Sequence, residues 1–282
     1  MLHWHYKGIS LMSFGFIDDM WGLNGDGGNV GLPPETGYVF FDGINDYLER
    51  GGNFTGLVDS YSMTFSAFFK GFFPGHDGSW QMFLSEPTLS YVYIGKNSSN
   101  IISCYIRSVS GGSVYFESTT PITVSSGWTH ILISFDGRNP KKIQLLINGV
   151  DDYNPSSLID SWPIGGDKII TSGITNWHLG AYSTGIYPFS GLLAEPFFNV
   201  SDNFFDISVN SNMRKFLKPD NSPNYLGING QLPLGTPPTM FCSTPYSTPS
   251  AADFIVNKGT GGGMNQIGLL DIIDIGKIVL GT

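Results

Sequence analysis

The sequence predicts an all-β protein, and two properties of its composition support this prediction. Glycine and proline are frequent, at 37 and 17 of the 282 residues, whereas only 13% of the residues are charged. Aromatic residues make up 14% of the chain, and long stretches with helical periodicity are nearly absent. This composition is typical of many short strands joined by tight turns. The length is sufficient for one large β domain with extensions.

Residues 1–36 are interpreted as an N-terminal arm, because glycine-rich and proline-rich runs interrupt any regular element. The arm carries large apolar side chains, among them Trp4 and Trp21. Exposing them to water is unfavourable, so we expect the arm to pack on its own domain or on a partner. His3 and His5 could place two imidazoles on one side of a strand, and three copies around a threefold axis would offer six nitrogen ligands to a metal ion.

Residues 37–201 read as a succession of strands. Apolar side chains alternate along residues 62–69 and 141–149, the pattern of a strand with one buried face. Residues 91–94 and 102–107 flank a turn-rich loop, which predicts a hairpin. Its inward positions are apolar, and its outward positions are Tyr91, Tyr93, Tyr105 and Arg107. These four are candidates for a carbohydrate-binding surface, because such sites combine exposed aromatic rings with fixed polar groups.

Loop aromatics are the second set of carbohydrate-binding candidates. These residues are Trp80, Trp162, Tyr182 and Tyr187. In a chain so rich in aromatic residues most must be core, and each loop aromatic is as suited to covering the core as to contacting a ligand. Four others are assigned to the core: Phe40, Phe65, Trp128 and Phe135.

Residues 202–282 are interpreted as a C-terminal extension. Residues 206–217 combine an acidic start, apolar residues at helical spacing and basic residues near the end, before Pro219. This pattern predicts one short helix. The remainder is predicted to be loop with short strands, and residues 267–280 are rich enough in β-formers to add an edge strand or to pair with another subunit.

Three β-rich runs, at residues 38–48, 127–137 and 191–200, each carry a Gly, Asp or Asn turn. In this order and spacing they resemble the laminin-G-like branch of the concanavalin A-like lectin/glucanase superfamily. The resemblance implies a jelly-roll β-sandwich of two antiparallel sheets. It does not imply a function, because this sandwich occurs in lectins, glycosidases and structural modules.

The extension carries a second resemblance, in residues 214–216, 226–230, 233–238 and 253–263. Their succession looks like the end of laminin-G-like proteins encoded by tailed bacteriophages and prophages. This implies a virion protein, on capsid or tail, that contacts other virion proteins through the arm and the extension and binds a host surface polysaccharide. We expect no membrane span and no secretory signal. A virion protein needs no secretory signal, because lysis of the host cell releases it. The apolar ends predict a homo-oligomer, in particular a trimer.

The sequence predicts no enzymatic activity. Glucanases on this sandwich use clustered carboxylates, typically Glu-x-Asp-x-x-Glu, to supply an acid/base and a nucleophile. None of the five glutamates lies two residues from an aspartate, and Glu195 is interpreted as a hydrogen-bonding group at a strand end. Nucleophile elbows and phosphate loops are also missing. A free calcium-dependent lectin is the alternative function, and a glycoside hydrolase is less favoured.

Calcium is the candidate cofactor, because related domains bind it at the sandwich rim through oxygen ligands. The candidate ligands are Asp42, Asn45, Asp46, Asp151 and Asp152. All five are also common turn formers, which leaves both interpretations open. The net charge of −9, with scattered basic residues, argues against a nucleic-acid partner. Cys104 and Cys242 are the only cysteines, so one disulfide is possible and a disulfide-rich scaffold is excluded.

Overall fold

The computed structural model describes residues 36–71, 77–88, 91–183, 186–245 and 250–270, and every structural statement below concerns these ranges. His3 and His5, the rest of the predicted arm before Thr36, and residues 271–280 of the predicted edge strand lie outside them.

The described residues contain 17 strands and two short α-helices. In chain order the strands are β1 (Thr36–Gly37), β2 (Val39–Asp42), β3 (Tyr47–Gly51), β4 (Ser62–Gly71), β5 (Gln81–Ser85), β6 (Val92–Lys96), β7 (Ile101–Arg107), β8 (Ser113–Pro121), β9 (Thr129–Asp136), β10 (Lys142–Ile147), β11 (Val150–Asp151), β12 (Tyr153–Asp160), β13 (Asn176–Leu179), β14 (Ser190–Ser201), β15 (Met240–Phe241), β16 (Thr244–Pro245) and β17 (Asn265–Ile267). The helices are α1 (Asn210–Met213) and α2 (Ala251–Phe254), and Val124–Ser126 form a 3-10 turn.

The strands form two large antiparallel sheets and one small one. The eight-stranded sheet has the order β12-β8-β7-β6-β5-β13-β3-β17. The seven-stranded sheet has the order β11-β10-β9-β4-β14-β15, with β2 also paired to β14, and β1 pairs with β16. The predicted all-β jelly roll is therefore confirmed.

The core lies between the two large sheets, and side-chain alternation determines which residues enter it. Phe65 on β4 and Ile133 on β9 are opposed in register, and both are fully buried. Val92 and Cys104, from the eight-stranded sheet, join the same apolar cluster. Alternate positions of a strand point to opposite faces, so the apolar period of two places one row of each sheet inward. The other row points away from the core and forms the outer face of that sheet.

Two of the four core assignments need correction. Phe65 and Phe135 are fully buried, but Phe40 and Trp128 are only half-buried. Trp128 packs against Tyr38, with ring centroids 5.3 Å apart. Phe40 alternates with Val39 and Phe41, which occupy the inward positions of β2.

The hairpin from β10 to β11 follows from its turn residues. The prediction of one strand over residues 141–149 was too long, because Asn148 and Gly149 form the connection. They have φ angles of 50° and 77°. A two-residue turn with positive φ at both positions matches the twist of the flanking strands, and Asn-Gly adopts it readily.

The C-terminal extension covers the outer face of the seven-stranded sheet. Phe216 packs on Phe197 of β14 with ring centroids 5.2 Å apart. The Ser134 hydroxyl of β9 donates to the carbonyl of Phe205 at 2.6 Å, and the Gln144 amide of β10 donates to Asp206 at 2.7 Å. As a result, outward-facing residues of the central strands β4 and β9, such as Ser66 and Leu132, are as buried as the core.

The prediction of a single helix over residues 206–217 was partly wrong. The helix there, α1, is only four residues long, its N-cap is Val209, and no side chain caps it. Asp206 instead accepts hydrogen bonds from Ser208 and Gln144. A second helix, α2, begins after Ser250, whose hydroxyl accepts the Asp253 amide. β17 pairs with β3 over Asn265–Ile267 and ends at Ile267, where the predicted edge strand of residues 267–280 begins; residues 271–280 of that prediction lie outside the described ranges.

The outer face of the eight-stranded sheet is more open than that of the other sheet. Its central residues, Tyr93, Tyr105 and Tyr115, are only half-buried. Both cysteines of the chain are buried, free thiols, and burial raises the pKa of Cys242 to about 12. No helix within the described ranges is long and apolar enough to cross a membrane.

Candidate functional site

Three tyrosines lie side by side on the outer face of the eight-stranded sheet. Tyr93 of β6 is opposed to Tyr105 of β7, and Tyr105 is opposed to Tyr115 of β8. Each tyrosine alternates with buried core residues such as Ile94 and Ile106. The rings of Tyr93 and Tyr105 stack with centroids 5.3 Å apart and an interplanar angle of 10°. The predicted hairpin and its outward row are confirmed.

Trp80 and Tyr187 extend this row beyond β6. The Trp80 ring lies edge-on to Tyr93, with centroids 6.5 Å apart, and 6.0 Å from the Tyr187 ring. Tyr187 in turn lies 6.0 Å from Tyr182. Together Tyr182, Tyr187, Trp80, Tyr93 and Tyr105 form a continuous aromatic strip. Four of these rings are half-buried, and Tyr187 is 44% exposed.

Hydrogen bonds to β5 hold the loop that carries Tyr182 and Tyr187. The amide of Met82 donates to the Tyr187 carbonyl at 3.1 Å. The Ser85 hydroxyl lies 2.7 Å from the Ala181 carbonyl and 3.0 Å from that of Tyr182. Tyr187 itself has a φ of 49°, a conformation that costs free energy in a residue with a β-carbon. The surrounding contacts therefore fix the loop aromatics next to the sheet.

Tyr91 and Arg107 flank the strip. The Arg107 guanidinium lies 5.5 Å from the centre of the Tyr91 ring, within the range of a cation–π contact. Seven of the eight predicted carbohydrate-binding residues belong to the strip or to this flanking pair. The eighth, Trp162, does not.

Trp162 is a core residue, contrary to the prediction. Its side chain is only 6% exposed, and its ring packs edge-on to Phe135 at 5.0 Å. The indole nitrogen donates to the carbonyl of Gly137 at 2.9 Å. This tryptophan covers the end of the core, and its polar group is already satisfied, so it cannot contribute to a surface site.

A polar group at the β8 side of the strip was missed in the sequence. Glu117 follows Tyr115 by two residues and lies on the same face. One of its carboxylate oxygens, Oε1, accepts hydrogen bonds from the Tyr115 hydroxyl and from Nδ2 of Asn97 at 2.7 Å. Along β8 the apolar residues Val114 and Phe116 alternate with Tyr115 and Glu117. This period of two would have predicted that Tyr115 and Glu117 point to the outer face.

Burial raises the pKa of two tyrosine hydroxyls, that of Tyr93 in the strip and that of Tyr115 beside it. It raises the pKa of Tyr93 well above its usual range, with smaller contributions from neighbouring tyrosines. The pKa of Tyr115 is raised to about 12, first by burial and then by the hydrogen bond to Glu117. Both hydroxyls are uncharged at neutral pH. The proton of Tyr115 is donated to Glu117, so the hydroxyl of Tyr93 is the one suited to donate to hydroxyl groups of a ligand.

The four aspartates among the calcium candidates already accept hydrogen bonds from other groups of the protein. Asp42 accepts the amides of Ile44 and Asn45, and Asp46, which is buried, accepts those of Asp42 and Leu269. Asp152 accepts the amide and hydroxyl of Thr120, and Asp151 accepts the amide of Tyr153 at 3.4 Å. In the described part of the chain no three His, Cys, Asp or Glu side chains come together at a possible metal site. Calcium binding stays a prediction.

Glu195 lies at a β-bulge of β14, not at a strand end. The register to β4 shifts between Ala194 and Phe197, and Glu195 is buried with a φ of 50°. It is in the seven-stranded sheet, whereas the aromatic strip is on the eight-stranded one. Glu195 therefore takes no part in the candidate site.

Solved structures share this architecture. One is a candidate carbohydrate-binding protein from Bacteroides ovatus, with a TM-score of 0.50 and 14% identity over 86% of this chain. The fold is a lectin-like jelly roll. The chain spans 61% of that protein's length.

Two further similar structures have lower scores. One is a heptameric SAP-like pentraxin from Limulus polyphemus, with a TM-score of 0.45, 10% identity and coverage of 87% of this chain and 99% of the pentraxin. The other is the LG4-5 region of the mouse laminin alpha1 chain, with a TM-score of 0.41, 12% identity and coverage of 64% of this chain and 46% of the laminin chain. No protein-family model and no curated protein matches the sequence.

Proposed function

We propose that this protein is a non-catalytic carbohydrate-binding module that binds a glycan along the aromatic strip. The observation that carries the proposal is the continuity of the strip, in which neighbouring ring centroids are 5.3 to 6.5 Å apart. Aromatic rings supply apolar surface for sugar C–H groups, and the Tyr93 hydroxyl and the Glu117 carboxylate supply polar partners. The description of the Bacteroides ovatus neighbour as a carbohydrate-binding protein is consistent with this role.

The asymmetry of the two outer faces supports the choice of surface. The chain's own extension buries the outer face of the seven-stranded sheet through contacts such as Phe216 with Phe197. The corresponding face of the eight-stranded sheet keeps its aromatic residues half-buried. A soluble protein that leaves a contiguous aromatic surface accessible commonly uses it for binding.

The test is a binding panel with matched variants. Purified protein is titrated calorimetrically with neutral and acidic bacterial surface polysaccharides, with and without a calcium chelator, while released reducing sugar is followed. We expect saturable binding without product release. Trp80→Ala and Tyr187→Asn should each weaken it by about tenfold, the effect of losing roughly 1.4 kcal/mol at a central aromatic contact. Asn is chosen at position 187 because it tolerates a positive φ better than Ala.

The control variant is Tyr225→Ala, since Tyr225 is a 62% exposed aromatic residue of the extension, outside the strip. Equal weakening by this variant, or the absence of binding to any polysaccharide, would contradict the proposal. Loss of binding on chelation would support the alternative of a calcium-dependent lectin, and released sugar would support a hydrolase.

We also propose that this module is a component of a tailed-phage virion. Its support is the resemblance of residues 214–263 to the ends of phage-encoded proteins. Contacts to other virion proteins through the arm and extension, and assembly into a trimer, belong to the same proposal. Mass measurement of the purified protein in solution tests the trimer directly, and a monomer at every concentration would contradict it.

A further inference from the structure

The carboxylate at the β8 side of the strip is held in place before any ligand arrives. Its Oε1 accepts from both Tyr115 and Asn97. Asn97 is itself fixed, because its Oδ1 accepts the amides of Ser99 at 2.8 Å and Ile101 at 3.1 Å. The backbone of Glu117 is also held, since its amide donates to the Ser157 hydroxyl at 2.9 Å. Such preorganisation lowers the entropic cost of binding.

The second carboxylate oxygen has acceptor capacity left over. Every hydrogen bond that the described residues make to the Glu117 carboxylate goes to Oε1. An ionised carboxylate is an acceptor only, so Oε2 can receive hydroxyl donors but repels anionic groups. Hydrogen bonds to a charged acceptor are stronger than those between neutral groups.

Arg107, the cation of the flanking pair, lies at the other side of the tyrosine row. Arg107 and Ser103, which is the partner of Glu117 in register, are four residues apart on β7. Four residues of a strand span roughly 13 Å, more than the Debye length of about 8 Å at physiological salt. The guanidinium lies against Tyr91. Arg107 therefore does not neutralise Glu117, and no salt bridge among the described residues involves Glu117.

Given that the strip binds glycans as proposed above, we infer that Glu117 is its specificity-determining residue. Its free oxygen accepts hydroxyl groups of a neutral sugar unit at the β8 side of the strip, and its charge disfavours glycans that carry carboxylate groups. The substrate class assigned to the site is thus a neutral polysaccharide. The chain's net charge of −9 also disfavours the binding of anionic glycans.

A matched pair of ligands tests this inference. The neutral polysaccharide that binds best in the panel is compared with the same polysaccharide after partial carboxymethylation. Wild-type protein should bind the neutral form about tenfold or more tightly, as expected for hydrogen bonds to a charged group. Glu117→Gln keeps an acceptor for Tyr115 and Asn97 but removes the charge. It should weaken binding of the neutral form by about tenfold and bring the two affinities close together.

The control is Asp253→Asn, which removes one negative charge on α2, outside the strip, and should leave the affinity ratio unchanged. Thermal unfolding of each variant verifies that it is folded. If the wild type binds glycans but Glu117→Gln leaves the ratio unchanged, or if the wild type prefers the carboxymethylated form, this inference is overturned and the proposed function stands. If the wild type binds neither form nor any panel glycan, the proposed function fails, and this inference with it.

Discussion

The rings of Tyr93 and Tyr105 stack nearly parallel although the two residues are on different strands. Their opposition in the β6–β7 register brings them together, and each alternates with residues of the core. The same register places Tyr115 next to Tyr105. Packing of the core therefore determines the position of the outer aromatic row, because a shift of one residue in register would exchange the two faces.

Coupling between the stacked tyrosines can be measured with a double-mutant cycle. Tyr93→Ala and Tyr105→Ala should each destabilise the protein, and the double variant should lose less than the sum of the two. We expect a coupling of about 0.5–1.5 kcal/mol, typical of aromatic pairs. Urea unfolding measures the free energies. The corresponding cycle between Tyr105 and Tyr225, which share no ring contact, should give a coupling near zero, and equal coupling in both cycles would argue against the stack.

Alkaline pH should destabilise the protein in part through Tyr115. Its pKa is raised from 10 to about 12 in the folded state. The group contributes stability that is fully present below pH 10 and is lost as the pH rises from 10 through about 12, because the unfolded chain releases the proton first. The midpoint of urea unfolding should fall across this window. Tyr115→Phe should show a smaller fall, and an identical fall in both proteins would contradict the assignment.

Acidic pH should also lower the free energy of unfolding, in this case through His130. Burial lowers its pKa from 6.5 to about 3, and its Nε2 lies 2.8 Å from the Ser66 hydroxyl. Its contribution to stability is present above pH 6.5 and lost as the pH falls through about 3, since the unfolded chain takes up the proton first.

At pH 4 the loss from His130 should be roughly 3 kcal/mol. His130→Gln keeps a polar partner for Ser66 and removes the titration. The difference in unfolding free energy between wild type and variant should therefore shrink or reverse between pH 7 and pH 4. A difference that stays constant over this range would show that His130 does not titrate as expected.

The extension should contribute to the stability of the sandwich through Phe216. This side chain is fully buried between Phe197 and Phe205, at 5.2 Å and 5.9 Å between ring centroids. Phe216→Ala should cost about 3–5 kcal/mol. Tyr225→Ala, in an exposed part of the same extension, should change the unfolding free energy by less than about 0.5 kcal/mol. Equal and small effects of both variants would mean that the extension is not a cooperative part of the fold.

The sequence by itself determined the class of fold and the two faces of its strands. The period of two along residues 91–107 placed Val92 and Cys104 inward and Tyr93 and Tyr105 outward, since the pleat of a strand allows no other arrangement once one face is apolar. The Asn-Gly pair at 148–149 likewise determined its own turn. Such local rules need no knowledge of distant residues.

The tertiary structure alone decided which residues meet across long stretches of chain. Trp162 and Tyr187 are equally plausible loop aromatics in the sequence, but one fills the end of the core and the other reaches Trp80 over β5. The hydrogen bond between Ser134 and Phe205, which lie 71 residues apart in the chain, is likewise not predictable from the local pattern. Burial and partnership depend on the packing of sheets, loops and extension together, and no local periodicity encodes that packing.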